Sequence, residues 1–518
     1  MQADHAVRSS RFLARYLVPL ALAAISAALT SADAATVVVT NANDGGPGSL
    51  RQAVVDSAAG GLIVFDPSLS GATIRLASTL TIDRGLTIDG STLVSRPTLS
   101  GDSDGNGAGN VQVLFINAVD PVTLKNLVIT RGYSLSNFGG GLSNSGGNVS
   151  VVNSQITNNS APKGGGVLNV AGTISFTKST ISGNEARGVT SGLGGGGGIL
   201  ILSGGVTLRD STVSGNTALS FGAADNYGGG IYNDGGLSLY NSSVVGNFAN
   251  GWGGAIYNAG SVTAVNSTIV YNEADVDDNQ DGKGAGIASF GTVTIRSTLL
   301  AGNAVRSLPI YDDCYGTIES NGVNIIRAQG TTVSGTCTIT GSTLWTPLNS
   351  LALLGGLQNN GGPTQTVALL PGNNAINGDS FLFGCLDLSA SFVGVDQRGV
   401  LRPKGFTCDI GAFEYADPAD PDGDGVDSAL DNCTALANAS QCDTDGDGYG
   451  NRCDGDLNNN GSTNAQDTTL FRQRLGQPST APAYNVADLN CSGNVNAQDT
   501  VLYRALLGSP PGPSGQVP

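Results

Sequence analysis

What the chain lacks narrows its chemistry before any motif is read. Histidine occurs once, at His5. Residues 1–35 read as a secretory leader: Arg8, Arg11 and Arg15 precede the apolar run 16–29, and Ala32-Asp33-Ala34 forms a small-residue cleavage site. Removal of that leader leaves no histidine, which excludes a His general base, a Ser-His pair and a His-ligated metal. No later apolar run is long enough to span a bilayer, so no membrane span is expected in the mature chain. Charge is sparse and mostly of one sign; the net of −17 argues against nucleic acid as a partner. Aromatic residues are only 6% of the chain and glycine supplies 77 residues, yet apolar content holds at 40%, which fits tight β-coils better than disorder.

What is there is a repeat. From Val122 to Asn303 a phrase of about 25 to 32 residues recurs, each copy opening on a glycine run and closing on Asn159, Asn184, Asn216, Asn247, Asn272 or Asn303. Within a copy, apolar residues alternate over runs of four or five, which is strand periodicity with no helical stripe. One copy cannot bury its apolar face. Stacking the copies, with each strand paired to its equivalent one coil away at ~4.8 Å, makes a continuous column of Val, Ile and Leu. The expected fold is all-β: a right-handed parallel β-helix solenoid over residues 36–415, with an N-terminal cap and a closing segment into which the repeat dissolves from Leu348, followed by a small C-terminal module of calcium-binding loops and helices. The closing asparagines fall at one bend of the coil, where Asn tolerates left-handed backbone and its amide can bond its neighbours above and below. Asn158 and Asn266 also stand in glycosylation sequons, a second reading of this asparagine-rich bend.

At the N-terminal end, Ser49-Leu50-Arg51-Gln52 has capping-box spacing and predicts a short helix through Ala59 that covers the open end of the solenoid. Extra residues enter the repeat directly after the closing Asn, at 185–193, 217–226 and 273–283, so the insertions are expected to stack on one flank and wall a groove. They carry Glu185, Arg187, Phe221, Asp225, Asp275, Asp277, Asp278, Asp281 and Lys283, with Tyr227 and Trp252 nearby. Carboxylates beside aromatic faces suit a polysaccharide ligand. A lyase or hydrolase would need Lys283 or Arg187 as base beside Asp225, Asp275 and Asp277, or a close pair of those acids. Two runs of alternating oxygens, Asp102-Ser103-Asp104 with Asn106 and Asp277-Asp278-Asn279 with Asp281, read as surface turns or metal loops.

The acidic charge is concentrated at the far end: Glu414 to Asp499 holds 15 acidic and 3 basic residues, a net of −12 against −17 overall, so a cation is expected there. Asp420, Asp422, Asp424 and Asp427 present oxygens at alternate positions around a sharp Gly turn. The pattern repeats with Asp443, Asp445, Asp447, Asn451 and Asp454. Two further loops lie 32 residues apart, each with ligand types at positions 1, 3, 5, 9 and 12 and a carbonyl at 7. They are Asp456, Asn458, Asn460, Ser462, Asn464 and Asp467, then Asp488, Asn490, Ser492, Asn494, Asn496 and Asp499. Each leads into a helix, at 468–475 and 500–507. Eight cysteines in a secreted chain suggest four disulfides; proximity pairs Cys314 with Cys337 and Cys385 with Cys408, leaving Cys433, Cys442, Cys453 and Cys491 to the tail. The last ten residues, 509–518, read as a disordered Pro/Gly tail.

Several of these stretches resemble known families. Gly228 to Asn233 and Gly253 to Asn258 look like repeats of polymorphic outer membrane proteins, which implies a surface β-helix. The segment from Asn359 to Tyr415, with Asp396, Arg398, Arg402, Asp409 and Glu414, resembles the closing segment of choice-of-anchor Q proteins. In a family whose tails vary, that implies a buried polar network rather than a catalytic centre. Residues 416–455 resemble thrombospondin type 3 repeats, and 456–508 resemble a type I dockerin, which implies calcium (Ca2+) as cofactor and a cohesin-like protein partner. Dockerin contacts would fall on Ala465-Gln466 and Ala497-Gln498, where this chain lacks the Ser-Thr pair of many such modules. Together these imply a secreted or cell-surface protein for display, adhesion or carbohydrate binding, with a polysaccharide lyase or hydrolase as the alternative.

Overall fold

A computed structural model of the chain describes residues 36–516 apart from 136–138, 189–193, 221–225, 308–309, 328–336, 342–344, 347–352, 380–384, 406, 418, 429 and 481–484. The leader, Phe221 and Asp225 lie outside the described residues.

One coil shows how the repeat folds. Val167–Asn169, Thr173–Thr177, Thr180–Ser182 and Glu185–Gly188 are four short strands separated by tight bends. Each pairs in parallel with its equivalent in the next coil: Ile199–Ile201, Gly205–Arg209, Thr212–Ser214 and Thr217–Ser220. The third face alone forms an 11-stranded sheet from Thr73–Arg75 to Trp345–Thr346. Inward columns such as Ile174, Val206, Leu237, Val262 and Val293 are at most 2% exposed, and the parallel β-helix follows from that column. The glycine runs are a packing requirement: Gly164 has φ +61°, and a Cβ on Gly165 would stand 2.4 Å from the Glu185 carbonyl.

The closing asparagines form the expected ladder in the interior. Asn159 Nδ2 donates to Asn184 Oδ1 at 2.9 Å, and the pattern continues through Asn216, Asn247 and Asn272 to Asn303. Each backbone N–H donates to the same next oxygen, so one side chain satisfies two buried donors of its neighbour. The ladder ends on an acid: Asn303 N and Nδ2 both donate to Asp313 Oδ1, at 2.8 and 2.6 Å. A parallel ladder of Ser154, Ser179, Ser211, Ser242 and Ser267 runs at the preceding bend.

The N-terminal helix α1, Leu50–Asp56, is capped by Ser49 and buries Leu50, Ala53 and Val54 against the first coil. It stops three residues short of the expected end, because Ser57 turns extended and returns its N–H to Ala53 O.

The regular coils run from Thr36 to Ile326, with further parallel pairing at Cys337–Thr340 and Trp345–Thr346. The described residues between 353 and 415 fold back along the third face. Gln397 Nε2 donates to Thr212 Oγ1 at 2.8 Å, Ser243 Oγ to Gln397 Oε1 at 2.6 Å, and Gly411 N to Ser297 O at 2.9 Å. Outward residues of that face are half-buried in early coils, as at Gln155 and Thr180, but Val245, Val270, Leu299 and Ala301 are buried with Leu369, Ile410 and Phe413. The change from polar to apolar outward residues along this face is therefore the imprint of the returning chain.

Beneath that segment Arg402 Nη1 meets Glu414 Oε2 at 2.8 Å with both side chains at most 1% exposed, and Arg398 meets Asp396 at 2.7 Å. Asp409, pushed up to about 7 by burial and by the Glu414 charge, caps Asn377 N and Tyr415 N. These five residues are a buried structural network.

The tail holds helices α2, Ala465–Arg474, and α3, Ala497–Leu506, packed through Phe471 and Tyr503 with ring centroids 4.4 Å apart. Both begin three residues before the expected Thr468 and Thr500. The disulfides are Cys314–Cys337 and Cys385–Cys408, as proximity suggested, with Cys433–Cys453 and Cys442–Cys491 in the tail. Residues 509–516 are not a free tail. Gly512 N donates to Cys453 O, Gly515 N to Asp431 O, and Pro513 O accepts from Thr434 N, so backbone groups left open by the acidic loops are met by this strap.

Candidate functional sites

Two acidic clusters stand in the tail. Carboxylate oxygens of Asp420, Asp422 and Asp424 lie within 4.8 Å of one another, as do those of Asp443, Asp445 and Asp447. Asp420 is fixed by the N–H groups of Gly423 and Gly425, both at 2.8 Å. Both Asp422 oxygens are buried with no protein partner, and burial together with Asp424, Asp431 and Asp420 pushes its carboxyl up to about 6. Buried, unpaired, mutually repelling oxygens fit a hard cation, which takes six to eight oxygen ligands. Asp431, which the sequence pattern passed over, is fully buried with Oδ2 unpartnered and its charge bears on Asp422; Asp427 is exposed. At the second cluster Asp454, buried and pushed up to about 7 by burial, adds its charge beside Asp447 and Asp445. Asn451 has a different duty: it accepts from Thr444 N and donates to Asp488 O at 3.1 Å, tying this loop to the helical unit.

The two loop-helix units repeat each other in detail. Asp456 accepts from Asn460 N, Gly461 N and Ser462 N, and Asp488 from Ser492 N and Gly493 N. Asp467 and Asp499 are buried at the N3 positions of α2 and α3, each accepting from the N-cap backbone at 2.8 Å. The N-caps are Asn464 and Asn496, whose side-chain oxygens take Gln466 N and Gln498 N. That reciprocal capping box starts the helices early. Asn458 donates to Asp467 at 2.7 Å, Asn490 N to Asp499 at 3.2 Å, and the Asn490 amide to Gln498 at 3.1 Å. Ala465-Gln466 and Ala497-Gln498 are exposed in both units. Of the expected ligands, Asp456, Asp467, Asp488 and Asp499 are buried, Asn464, Asn490 and Asn496 half-buried, and Asn458, Asn460, Ser462, Ser492 and Asn494 exposed.

On the solenoid, the insertions begin on one flank as expected: Glu185–Gly188, Thr217–Ser220 and Glu273–Ala274 all belong to the sheet of the fourth face. Among the described candidates, Arg187 and Asp275 do not converge there. Arg187 pairs with Glu185 at 2.6 Å, on the wall of a cleft of about 450 Å³ lined also by Tyr133, Asn158 and Ser160. Asp275 lies three ladder steps along the same face, ~14 Å away. It is fully buried at φ +56° and accepts from Gln280 N and Ser307 Oγ, a loop-closing role. Asp277 is exposed. The turn at Asp102 closes on Gly107 N and on Arg131, at 3.0 and 3.2 Å. Among the described residues the acid clusters able to hold a metal are the two triads of the tail.

Lys283 has other neighbours. Its Nζ lies over the rings of Trp252 and Tyr315, 4.8 and 5.2 Å from their centroids. Trp252 stacks on Phe290 at 5.3 Å, Tyr227 on Tyr257 at 5.0 Å, and Tyr257 on Tyr232 at 4.8 Å. Of the flank's aromatics the sequence pointed to Tyr227 and Trp252, and to Phe221, which lies outside the described residues. Tyr232 and Tyr257 stand at the middle of Ile-Tyr-Asn strands, an outward position that period two would have shown.

Residues 454–507 match the family model described as Dockerin type I domain. No curated protein and no solved structure matches the chain.

Proposed function

We propose that this is a secreted, calcium-loaded protein that docks through residues 454–507 onto a cohesin and presents its β-helix as a carbohydrate-binding surface. The paired loop-helix units carry the reading: a type I dockerin implies calcium and a cohesin partner, and both Ala-Gln pairs are exposed where such a partner would sit. The disulfides suit an extracellular protein, and no helix among the described residues is long and apolar enough to cross a membrane. In this reading residues 1–35 are the export signal, 353–415 are a closing segment of the choice-of-anchor Q kind, and 416–455 are thrombospondin type 3-like calcium loops between scaffold and dock. Carbohydrate binding rests on the aromatic flank. Cleavage is disfavoured, because Arg187, Asp275 and Lys283 have separate structural partners.

The test uses the full mature chain. It should be captured by immobilised type I cohesins in calcium and released by chelator, and should co-sediment with polysaccharide without producing new reducing ends. A chain that no cohesin retains overturns the docking half. New reducing ends that vanish in Asp275→Asn or Lys283→Ala overturn binding in favour of an enzyme.

A further inference from the structure

The outer flank between Tyr227 and Tyr315 departs from the rest of the solenoid surface. In the middle column of the first face, Leu168 and Leu200 give way to Tyr232, Tyr257, Ala288 and Tyr315 on successive coils. Ala288 interrupts the rings of that column, and Phe290 of the same coil meets Tyr257 and Tyr315 at 5.7 and 5.8 Å and stacks on Trp252 with an interplanar angle of 15°. Phe290 is nonetheless 56% exposed. In a chain with 6% aromatic residues, gathering six rings on one flank of four successive coils and leaving one in water marks a contact surface.

Lys283 supplies the second, independent observation. It follows Asp277, Asp278 and Asp281 in a chain of net charge −17, yet no carboxylate among the described residues lies within 4.0 Å of its Nζ. It rests on two ring faces instead, half-buried, and its ammonium meets no hydrogen-bond acceptor among the described residues.

We infer that this flank binds an acidic glycan, with sugar rings stacking on Trp252 and Phe290 and a ring carboxylate reaching Lys283. Aromatic faces accept the C–H face of a pyranose whatever its charge, so the rings alone would select carbohydrate without selecting a class. The unpaired ammonium selects, because a carboxylate brought to it gains a charge-assisted bond in a partly desolvated place, whereas a neutral sugar leaves the charge unmatched. The inference rests on the carbohydrate-binding reading above and names its site and ligand class.

Titration calorimetry of the full mature chain against short oligogalacturonates and oligomannuronates, each as free acid and as methyl ester, tests it. The free acids should bind at least tenfold more tightly than the esters. Lys283→Met should abolish that preference while Lys283→Arg keeps most of it, and Phe290→Ala should weaken both forms by tenfold or more. Equal binding of acid and ester, or a preference that survives Lys283→Met, overturns the acidic class while leaving carbohydrate binding in place. Full affinity in Phe290→Ala and Trp252→Ala overturns the site. No binding to any oligomer overturns both this inference and the carbohydrate half of the proposed function, and cohesin capture of the same preparation shows that the chain was folded.

Discussion

Replacing Asn216 by alanine should destabilise the central coils by about 3–5 kcal/mol, far more than a typical Asn change. Its Oδ1 accepts from Asn184 N at 3.0 Å and Asn184 Nδ2 at 2.9 Å, and its Nδ2 donates to Asn247 Oδ1 and Ile181 O. All three asparagines are 0% exposed, so water cannot replace the lost oxygen. Two donors of Asn184 and the Ile181 carbonyl lose a partner, and each buried unsatisfied group costs ~1–3 kcal/mol. Asn247 Oδ1 keeps one donor, the backbone N–H of residue 216, which limits the damage. A loss of about 3 kcal/mol raises the local opening constant more than a hundredfold. Amide hydrogen exchange read by mass spectrometry is the suitable assay, because a solenoid opens locally and a single unfolding free energy would average that away. Peptides spanning 181–247 should exchange faster by that factor while those near α1 stay protected. Asn148→Ala, at an exposed strand start, is the control and should shift stability by less than about 0.5 kcal/mol. A cost for Asn216→Ala no greater than for Asn148→Ala would refute a stabilising role for the ladder.

Three other outcomes follow from the same reasoning. Burial pushes Asp313 up to about 8, far above its value in the unfolded chain, so the folded state holds a proton that the unfolded state has lost between about pH 4 and 8, and stability should fall as pH rises through that window. Asp313→Asn, which extends the ladder without a titrating group, should flatten that slope in urea melts taken from pH 4 to 9; an unchanged slope would assign it elsewhere. Chelation should lower the calorimetric transition of residues 416–516 while sparing the coils, by about 2.7 kcal/mol relative to calcium at a hundred times its dissociation constant; Asp422→Ala should reproduce part of the loss, and a tail transition indifferent to calcium would refute the metal assignment. Opening Cys442–Cys491 with a paired Cys→Ser variant removes a cross-link of sequence separation 49, worth up to about 4 kcal/mol by chain entropy, and should let the helical unit melt separately from the 420–454 loops. A single unaltered tail transition would show that Asn451 and the 509–516 strap suffice.

The elements that could be read from the sequence share a cause. Strand periodicity, the glycine runs and the closing asparagines report contacts between a residue and its own equivalent one coil away, so a repeat in sequence is a repeat in space. Cys314–Cys337 and Cys385–Cys408 are near in sequence as well as in space. The acidic triads and the paired loop-helix units were legible because their residues lie within a dozen positions. Asp431 was passed over although it stands at the twelfth position of the loop that Asp420 opens, because only the alternating acids ahead of it were read as ligands. The helix starts were misplaced because position-12 acids were read only as ligands, when Asp467 and Asp499 also close capping boxes.

By itself, then, the sequence determined the parallel β-helix, the Asn ladder, the N-terminal cap and the paired loop-helix units, all products of local or periodic chemistry. Only the tertiary structure decided where the coils end, because the fold-back of 353–415 depends on Gln397, Gly411 and Phe413 meeting residues more than a hundred positions earlier. It also decided that Arg187 and Asp275 stand apart while Lys283 lies over Trp252 and Tyr315. Which side chains share a flank of a solenoid depends on how many residues each bend consumes, and insertions of unequal length hide that register until the coils are stacked.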